Sequence, residues 1–176
     1  DMTDELMSEI KVPRTDGSII TVVGVGGAGG NAVNHMWNLG IRGVTFMVCN
    51  TDQQALDKSP VERKIRLGSE GLGAGNDPEN GRRAAVESLP EIRQVLEEAG
   101  TKMLFITAGM GGGTGTGASP VIAKLAKEMG LLTVAIVTSP LAVEGKIRYE
   151  QAFRGIEELR QNTDSLLIIN NENILE

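Results

Sequence analysis

Residues 103–117 of the chain have the sequence MLFITAGMGGGTGTG, an apolar run that passes into a cluster of glycines and threonines. The apolar run, Met103 to Thr107, is typical of a buried strand. The segment from about Ser119 to Met129 predicts a helix, and Gly130 is well placed to end it. Because flexible linkers rarely join a buried strand to a patterned helix, we expect the cluster to be an ordered strand-to-helix loop.

A similar junction occurs near the start of the chain. Residues 19–23, IITVV, are rich in β-branched side chains and predict a strand, and a helix is predicted from about Asn31 to Leu39. Between them, Gly24 to Asn31 contains a G-x-G-x-x-G pattern. A strand before this pattern and a helix after it are the context that a phosphate-binding turn requires.

The segments around these two junctions continue the alternation of strands and helices. Further strands are predicted over 44–49, 63–67, 132–137 and 165–169, and further helices over 53–57, 81–99 (interrupted at Pro90) and 144–160. This alternation indicates an α/β fold, a Rossmann-like and mostly parallel sheet with helices on both faces. Ligands of such folds bind beyond the carboxyl ends of the strands, where both glycine clusters should lie.

Composition narrows the class of protein. The chain has 176 residues, 40% hydrophobic and 23% charged, which is ordinary for a globular domain. We expect a flexible amino-terminal tail over residues 1–17 and one domain over residues 18–176. Lys and Arg number 17 against 23 Asp and Glu, and the resulting net charge of −6 disfavours a general nucleic-acid binder. No apolar run approaches the roughly 20 residues of a membrane-spanning helix, so we expect no direct membrane insertion.

The single cysteine and the single histidine are not expected to carry chemistry. With Cys49 alone, an internal disulfide and a cysteine-rich zinc site are excluded, and a reducing cytoplasmic compartment is expected. His35 lies on the first predicted helix, beside Met36 and Trp37, where a packing or capping role is expected.

Glycine-rich loops are suited to holding phosphate. Glycine lets a phosphate oxygen approach the backbone, and a helix amino terminus adds partial positive charge. The threonines of the second cluster can also donate hydrogen bonds, and Gly71 to Pro78 supplies a third set of accessible N–H groups. The alternatives are structural: a tight turn for the first cluster, a flexible surface loop for the second and a mobile loop for the third.

The phosphate-binding lysine of a Walker A loop is absent. The one Gly-Lys pair, Gly145-Lys146, is followed by Ile147 rather than by Ser or Thr. Phosphate charge would therefore be neutralised by backbone dipoles and by a Mg²⁺ ion held mainly through phosphates and water, without a confident side-chain ligand.

The second cluster also carries a family resemblance. The sequence GGGTGTG of Gly111 to Gly117 is similar to the tubulin signature loop, and from about Ile19 the chain resembles the FtsZ family of bacterial tubulin-like cell-division GTPases. Further matching segments are Gly26–Asn31, Asn50–Asp52, Gly71–Gly75, Pro78–Arg82, and Glu144–Lys146 with Arg148.

The resemblance implies a binding site for GTP and GDP. Residues 27–31 would wrap the α- and β-phosphates, with Asn31 near the base, residues 73–76 would sense the γ-phosphate, and residues 113–116 would hold the β- and γ-phosphates. Asn171 would face the guanine. Pro140, Glu144 and Arg148 would lie along the ribose, and Asn50 and Asp52 would line the rim near the phosphates. The predicted GTP-binding residues are Gly26, Gly27, Ala28, Gly29, Gly30, Asn31, Asn50, Asp52, Gly73, Ala74, Gly75, Asn76, Gly111, Gly112, Gly113, Thr114, Gly115, Thr116, Gly117, Pro140, Glu144, Arg148 and Asn171.

Two departures from the family pattern matter. Residues 139–144, SPLAVE, carry aliphatic side chains where many relatives have phenylalanine. In the family, a central helix follows the position of Asn171 and leads to an acidic loop that completes the active site of the neighbouring subunit. We therefore expect the chain to be an amino-terminal subdomain that ends at the start of that helix, contains no catalytic residue of its own, binds nucleotide and hydrolyses GTP poorly.

The resemblance also implies partners and a place of action. The full-length protein would assemble with itself into a head-to-tail filament, together with accessory proteins of the division ring, in the cytoplasm at mid-cell.

Two other functions stay open on the residues alone. G-x-G-x-x-G with Asp52 suggests an NAD(P)-dependent oxidoreductase, although Asp52 lies past the usual spacing of about 20 residues. The second open function is a nucleotide-gated scaffold protein, which would bind nucleotide without hydrolysing it.

Overall fold

The computed structural model describes residues 19–140 and 145–170. The predicted tail, most of the aliphatic segment before Glu144, Glu144 itself and Asn171 lie outside the described residues.

A six-stranded parallel sheet, with strand order β3-β2-β1-β4-β5-β6, forms the centre of the described structure. Val23 of β1 is in register with Met47 of β2 and Ile106 of β4, so β1 has neighbours on both sides. The strand order reverses between β1 and β4, which makes their carboxyl ends the switch point where ligands bind in this architecture. The strands are β1 (Ile20–Val25), β2 (Thr45–Asn50), β3 (Arg63–Arg66), β4 (Met103–Gly109), β5 (Leu132–Ser139) and β6 (Ser165–Asn170).

Six helices occur in the described part of the chain: α1 (Gly26–Asn38), α2 (Gln53–Asp57), α3 (Pro78–Glu87), α4 (Leu89–Glu98), α5 (Thr114–Glu128) and α6 (Lys146–Gln161). Successive residues of a strand point to opposite faces of the sheet. Val22 accordingly packs in a small cluster with residues of α1 and α2. Val23 and Val25 belong to a larger cluster that includes residues of α3 to α6. The predicted parallel sheet with helices on both faces is confirmed.

The face of the sheet that carries α1 is less covered toward the β6 edge. Leu167 and Ile169 of β6 are 55% and 38% exposed, and both are in register with β5 residues of the same face. None of the helices in residues 19–140 and 145–170 has the length and apolar character of a membrane span.

Two helices with glycine-rich first turns begin earlier than predicted. We expected starts near Asn31 and Ser119, but α1 begins at Gly26 and α5 at Thr114. Their first turns use glycine, a poor helix former, because these turns pack directly on neighbouring backbone. A Cβ on Gly29 would collide with the carbonyl oxygen of Thr107. Tertiary contact therefore overrides local propensity at both helix starts.

The predicted helix over 81–99 forms two pieces, as the interruption at Pro90 indicated. They meet at Ser88, and Pro90 lies in the first turn of α4, where proline is tolerated. The first piece begins at Pro78 rather than Gly81, because an Asp77 carboxylate oxygen accepts a 3.0 Å hydrogen bond from the Glu79 N–H and caps the helix.

Candidate functional site

A cavity of about 500 Å³ opens at the carboxyl edge of the sheet, above the switch point between β1 and β4. This volume falls within the range of small-molecule sites. The lining residues are Val25, Gly27, Ala28, Asn50, Thr51, Asp52, Ala55, Gly73, Ala74, Gly75, Asn76, Gly109, Met110, Gly112, Gly113, Thr114, Gly115, Thr138, Pro140 and Arg148.

Two helix amino termini reach this cavity. Gly27 and Ala28 come from the first turn of α1, and Thr114 and Gly115 from the first turn of α5. Neither helix start has a side-chain cap, so its first N–H groups have no side-chain partner. Uncapped N–H groups and the positive end of the helix dipole together form an anion site.

The two threonines of the second glycine cluster have different surroundings. The Thr114 hydroxyl lies 2.7 Å from the Thr51 hydroxyl and lines the cavity. The Thr116 hydroxyl accepts a 2.7 Å hydrogen bond from the Gly111 N–H, and the residue is 3% exposed. Thr116 therefore holds the loop closed, whereas Thr114 faces the space a ligand would fill.

The loop after β3 is tied to the end of β2. Asp52 and Leu72 form an antiparallel bridge. The Gln53 N–H donates to the Gly71 carbonyl at 3.1 Å, and the Gly73 N–H donates to the Thr51 carbonyl at 3.2 Å. These bonds place residues 73–76 against the cavity, and the Leu72 side chain is 86% exposed.

Asn50 and Asp52 use their side chains locally. The Asn50 amide oxygen accepts a 3.2 Å bond from the Asp52 N–H. An Asp52 carboxylate oxygen accepts a 3.0 Å bond from the Gln54 N–H and caps α2. Their remaining lone pairs border the cavity, which gives its rim oxygen ligands of the kind that Mg²⁺ prefers.

Arg148 is the basic side chain among the described lining residues. It comes from the first turn of α6 and packs beside Gly111, where a Cβ would meet the Arg148 and Pro140 side chains. Its guanidinium adds charge complementary to an anion. The partner suggested by sequence spacing, Glu144, lies outside the described residues.

The structure brings most of the predicted site residues to this one cavity. Gly26, Gly30 and Asn31 instead line a smaller cavity of about 270 Å³, which shares Gly27, Asn50, Asp52 and Ala55 with the first. Gly29, Gly111, Thr116 and Gly117 line neither. Lining residues that sequence analysis missed are Val25, Thr51, Ala55, Gly109, Met110 and Thr138. Thr51 had a usable signal, since it is a hydroxyl residue directly after a strand and between two predicted site residues.

Neither Cys49 nor His35 lines the larger cavity. Cys49 is fully buried beside the smaller cavity, and burial, with a smaller effect of the Glu91 charge, raises the pKa of its thiol to about 12. A thiol of such high pKa is a poor nucleophile at neutral pH.

Among the described residues no group of three or more His, Cys, Asp or Glu side chains is placed to hold a metal ion. The rim oxygens of Asn50, Asp52 and Thr114 fit a Mg²⁺ ion whose other ligands are phosphate and water.

Comparison with known proteins gives consistent matches. The sequence model of the tubulin/FtsZ family GTPase domain matches residues 19–176. The cell division protein FtsZ of Porphyromonas gingivalis is 52% identical over 176 residues, which cover 98% of this chain and 38% of that protein. The cell division protein FtsZ of Caulobacter vibrioides is 54% identical over 158 residues, which cover 88% of this chain and 31% of that protein.

Solved structures agree with the sequence matches. An empty FtsZ dimer from M. jannaschii superposes with a TM-score of 0.86 at 42% identity, over 99% of this chain and 50% of that one. A GTPγS-bound CetZ2 protofilament from Haloferax volcanii gives a TM-score of 0.77 at 28% identity, over 87% of this chain and 49% of that one. The chain thus spans half or less of the length of these relatives.

Proposed function

The chain belongs to the tubulin/FtsZ family of GTPase domains, and from this we propose that it binds GTP and GDP in the cavity at the carboxyl edge of its sheet. We further propose that the protein is a GTP-hydrolysing subunit of a bacterial division-ring polymer. It would act in the cytoplasm at mid-cell, with a second copy of itself and accessory proteins as partners.

The observation that carries the proposal is the convergence of two uncapped helix amino termini on one cavity. The starts of α1 and α5 follow the two central strands, and Arg148 lines the same cavity. Such an arrangement neutralises several phosphate oxygens through backbone N–H groups and one guanidinium. A bound Mg²⁺ would supply further neutralisation of the phosphate charge.

The same geometry favours a nucleoside triphosphate over a dinucleotide. A Rossmann oxidoreductase needs one glycine-rich turn for its pyrophosphate, whereas here a second glycine-rich turn lines the same cavity. The comparisons lend no support to the oxidoreductase alternative.

Hydrolysis would be completed between subunits. Asp52 is the carboxylate among the described lining residues, and it caps α2. We propose that a neighbouring copy positions the attacking water in a head-to-tail filament, so that this chain alone binds nucleotide with little turnover. Structural relatives described as a dimer and as a protofilament support self-association.

The first experiment is calorimetric titration of the chain with GTP, GDP, ATP and NADH, with and without Mg²⁺. We expect GTP and GDP to bind and ATP and NADH to bind much more weakly. Arg148→Ala should weaken GTP binding roughly tenfold, because a charge-assisted hydrogen bond is lost. Arg154→Ala, an exposed change on the same helix, should leave GTP binding unchanged. Binding of NADH without GTP would overturn the proposed function.

A further inference from the structure

Thr51 is almost completely buried at the junction of three segments of the site. It follows β2, is 5% exposed, and places its hydroxyl oxygen 2.7 Å from that of Thr114. Thr114 is the first residue of α5 and shares the cavity lining with Thr51. The two hydroxyls therefore form a direct link between the end of β2 and the start of a phosphate-facing helix.

The direction of this hydrogen bond is decided by proton count. Each hydroxyl has one proton to donate and two lone pairs to accept with. If Thr114 donates its proton to Thr51, it has none left for a ligand in the cavity. If Thr51 donates to Thr114, the Thr114 proton is free to point at a phosphate oxygen. An anion in the cavity selects the second arrangement.

The Thr51 donor is held in place from its other side. Its carbonyl accepts from the Gly73 N–H at 3.2 Å, and the neighbouring Asp52–Leu72 bridge joins the same two segments. Because these are backbone bonds, they persist whichever hydroxyl donates. The backbone of Thr51 is thus held against the loop after β3 before any ligand arrives, which reduces the ordering cost of binding.

We propose that Thr51 is a positioning residue that donates its hydroxyl proton to Thr114 and thereby aims the Thr114 proton at a nucleotide phosphate. This inference rests on the proposed function, since it needs a phosphate in the cavity. A chain of hydroxyls ending on an anion is cooperative, because each donor is polarised by the next acceptor. The proposed effect of the Thr51 hydroxyl on the ligand passes through the Thr114 hydroxyl.

The test is a double-mutant cycle read by calorimetric titration with GDP and GTP. Thr51→Val keeps the side-chain shape and removes the donor, so affinity should fall roughly threefold to tenfold. Thr51→Ser keeps the hydroxyl and should restore wild-type affinity. In a Thr114→Val background, Thr51→Val should cause no further loss, because its effect passes through the Thr114 hydroxyl.

A matched control exists in the same sheet. The Thr21 and Thr101 hydroxyls are also 2.7 Å apart and buried, and neither residue lines the cavity. Thr21→Val should lower the unfolding free energy about as much as Thr51→Val and leave nucleotide affinity unchanged. Wild-type affinity in Thr51→Val, or an equal loss in the Thr114→Val background, would overturn the inference while the proposed function stands. A wild-type chain that binds neither nucleotide would overturn the proposed function itself, and the inference with it.

Discussion

Thr114 and Thr116 stand two positions apart at the start of α5, yet only one of them has its hydroxyl directed to the cavity. Thr114 contacts Thr51 and borders the space, whereas Thr116 accepts from the Gly111 N–H and is buried. The pattern of glycines and threonines predicted a phosphate loop but assigned both hydroxyls the same role. The difference between the two threonines depends on how the glycine-rich loop folds back on α5.

Cys49 provides a prediction at the residue scale. Its pKa rises from an ordinary value of 9.0 to about 12 because the thiol is buried. The unfolded chain therefore loses this proton near pH 9 while the folded chain keeps it. Stability from this group is complete below pH 9 and declines as pH rises toward 12, by about 1.4 kcal/mol per pH unit.

The measurement is urea unfolding of the chain and of Cys49→Ala between pH 7 and 10.5. Other titrating groups contribute equally to both proteins, so the difference between them isolates Cys49. That difference should be constant up to about pH 8.5 and shrink above it. A constant difference across the whole range would show that the thiol does not stay protonated in the folded state.

At the scale of elements, periodicity and turn residues predicted every strand and helix of the described chain. What they missed was where α1, α3 and α5 begin. The glycines of α1 and α5 were interpreted as loop because glycine disfavours helix, but a close neighbour makes them necessary there. Such contacts join segments distant in sequence, and no local pattern contains them.

A pair of substitutions in α1 separates packing from propensity. A Cβ on Gly29 would strike the Thr107 carbonyl oxygen, whereas a Cβ on Gly30 meets nothing within 4 Å. Gly29→Ala should therefore cost about 2–3 kcal/mol of unfolding free energy through overpacking. Gly30→Ala should add about 0.5–1 kcal/mol, because alanine is the better helix former.

Chemical denaturation of both variants checks this. The two changes are chemically identical and adjacent, so their opposite signs would be due to the Thr107 contact alone. Equal effects in the two variants would contradict the close approach of α1 to β4.

At the scale of the whole molecule, the strand order places both glycine clusters beside each other. Sequence predicted that the clusters lie at one edge of a parallel sheet, but not that β1 and β4 are neighbours. Strand order depends on pairing between distant segments, such as Val23 with Ile106, and alternation along the chain does not specify it. The family resemblance implied that both clusters contact one nucleotide, but no strand order was predicted from it.

The division of labour between subunits gives a prediction at this scale. If the attacking water is positioned by a neighbouring copy, this chain should bind GTP and release almost no phosphate. Phosphate release at saturating GTP should match that of a solution without protein at every chain concentration. Release that grows in proportion to chain concentration would show that the described site is catalytically complete.

Several glycines of the two glycine clusters pack closely against neighbouring backbone, and this packing affects how the glycine motifs should be interpreted. Gly29, Gly115 and Gly117 each lie where a Cβ would strike the carbonyl oxygen of another segment of the protein. A descendant that lost all affinity for nucleotides would still need these glycines to keep its helices seated on the sheet. The motif would then persist after the activity was lost. Its presence in a genome therefore indicates the inherited fold more reliably than it indicates a working enzyme.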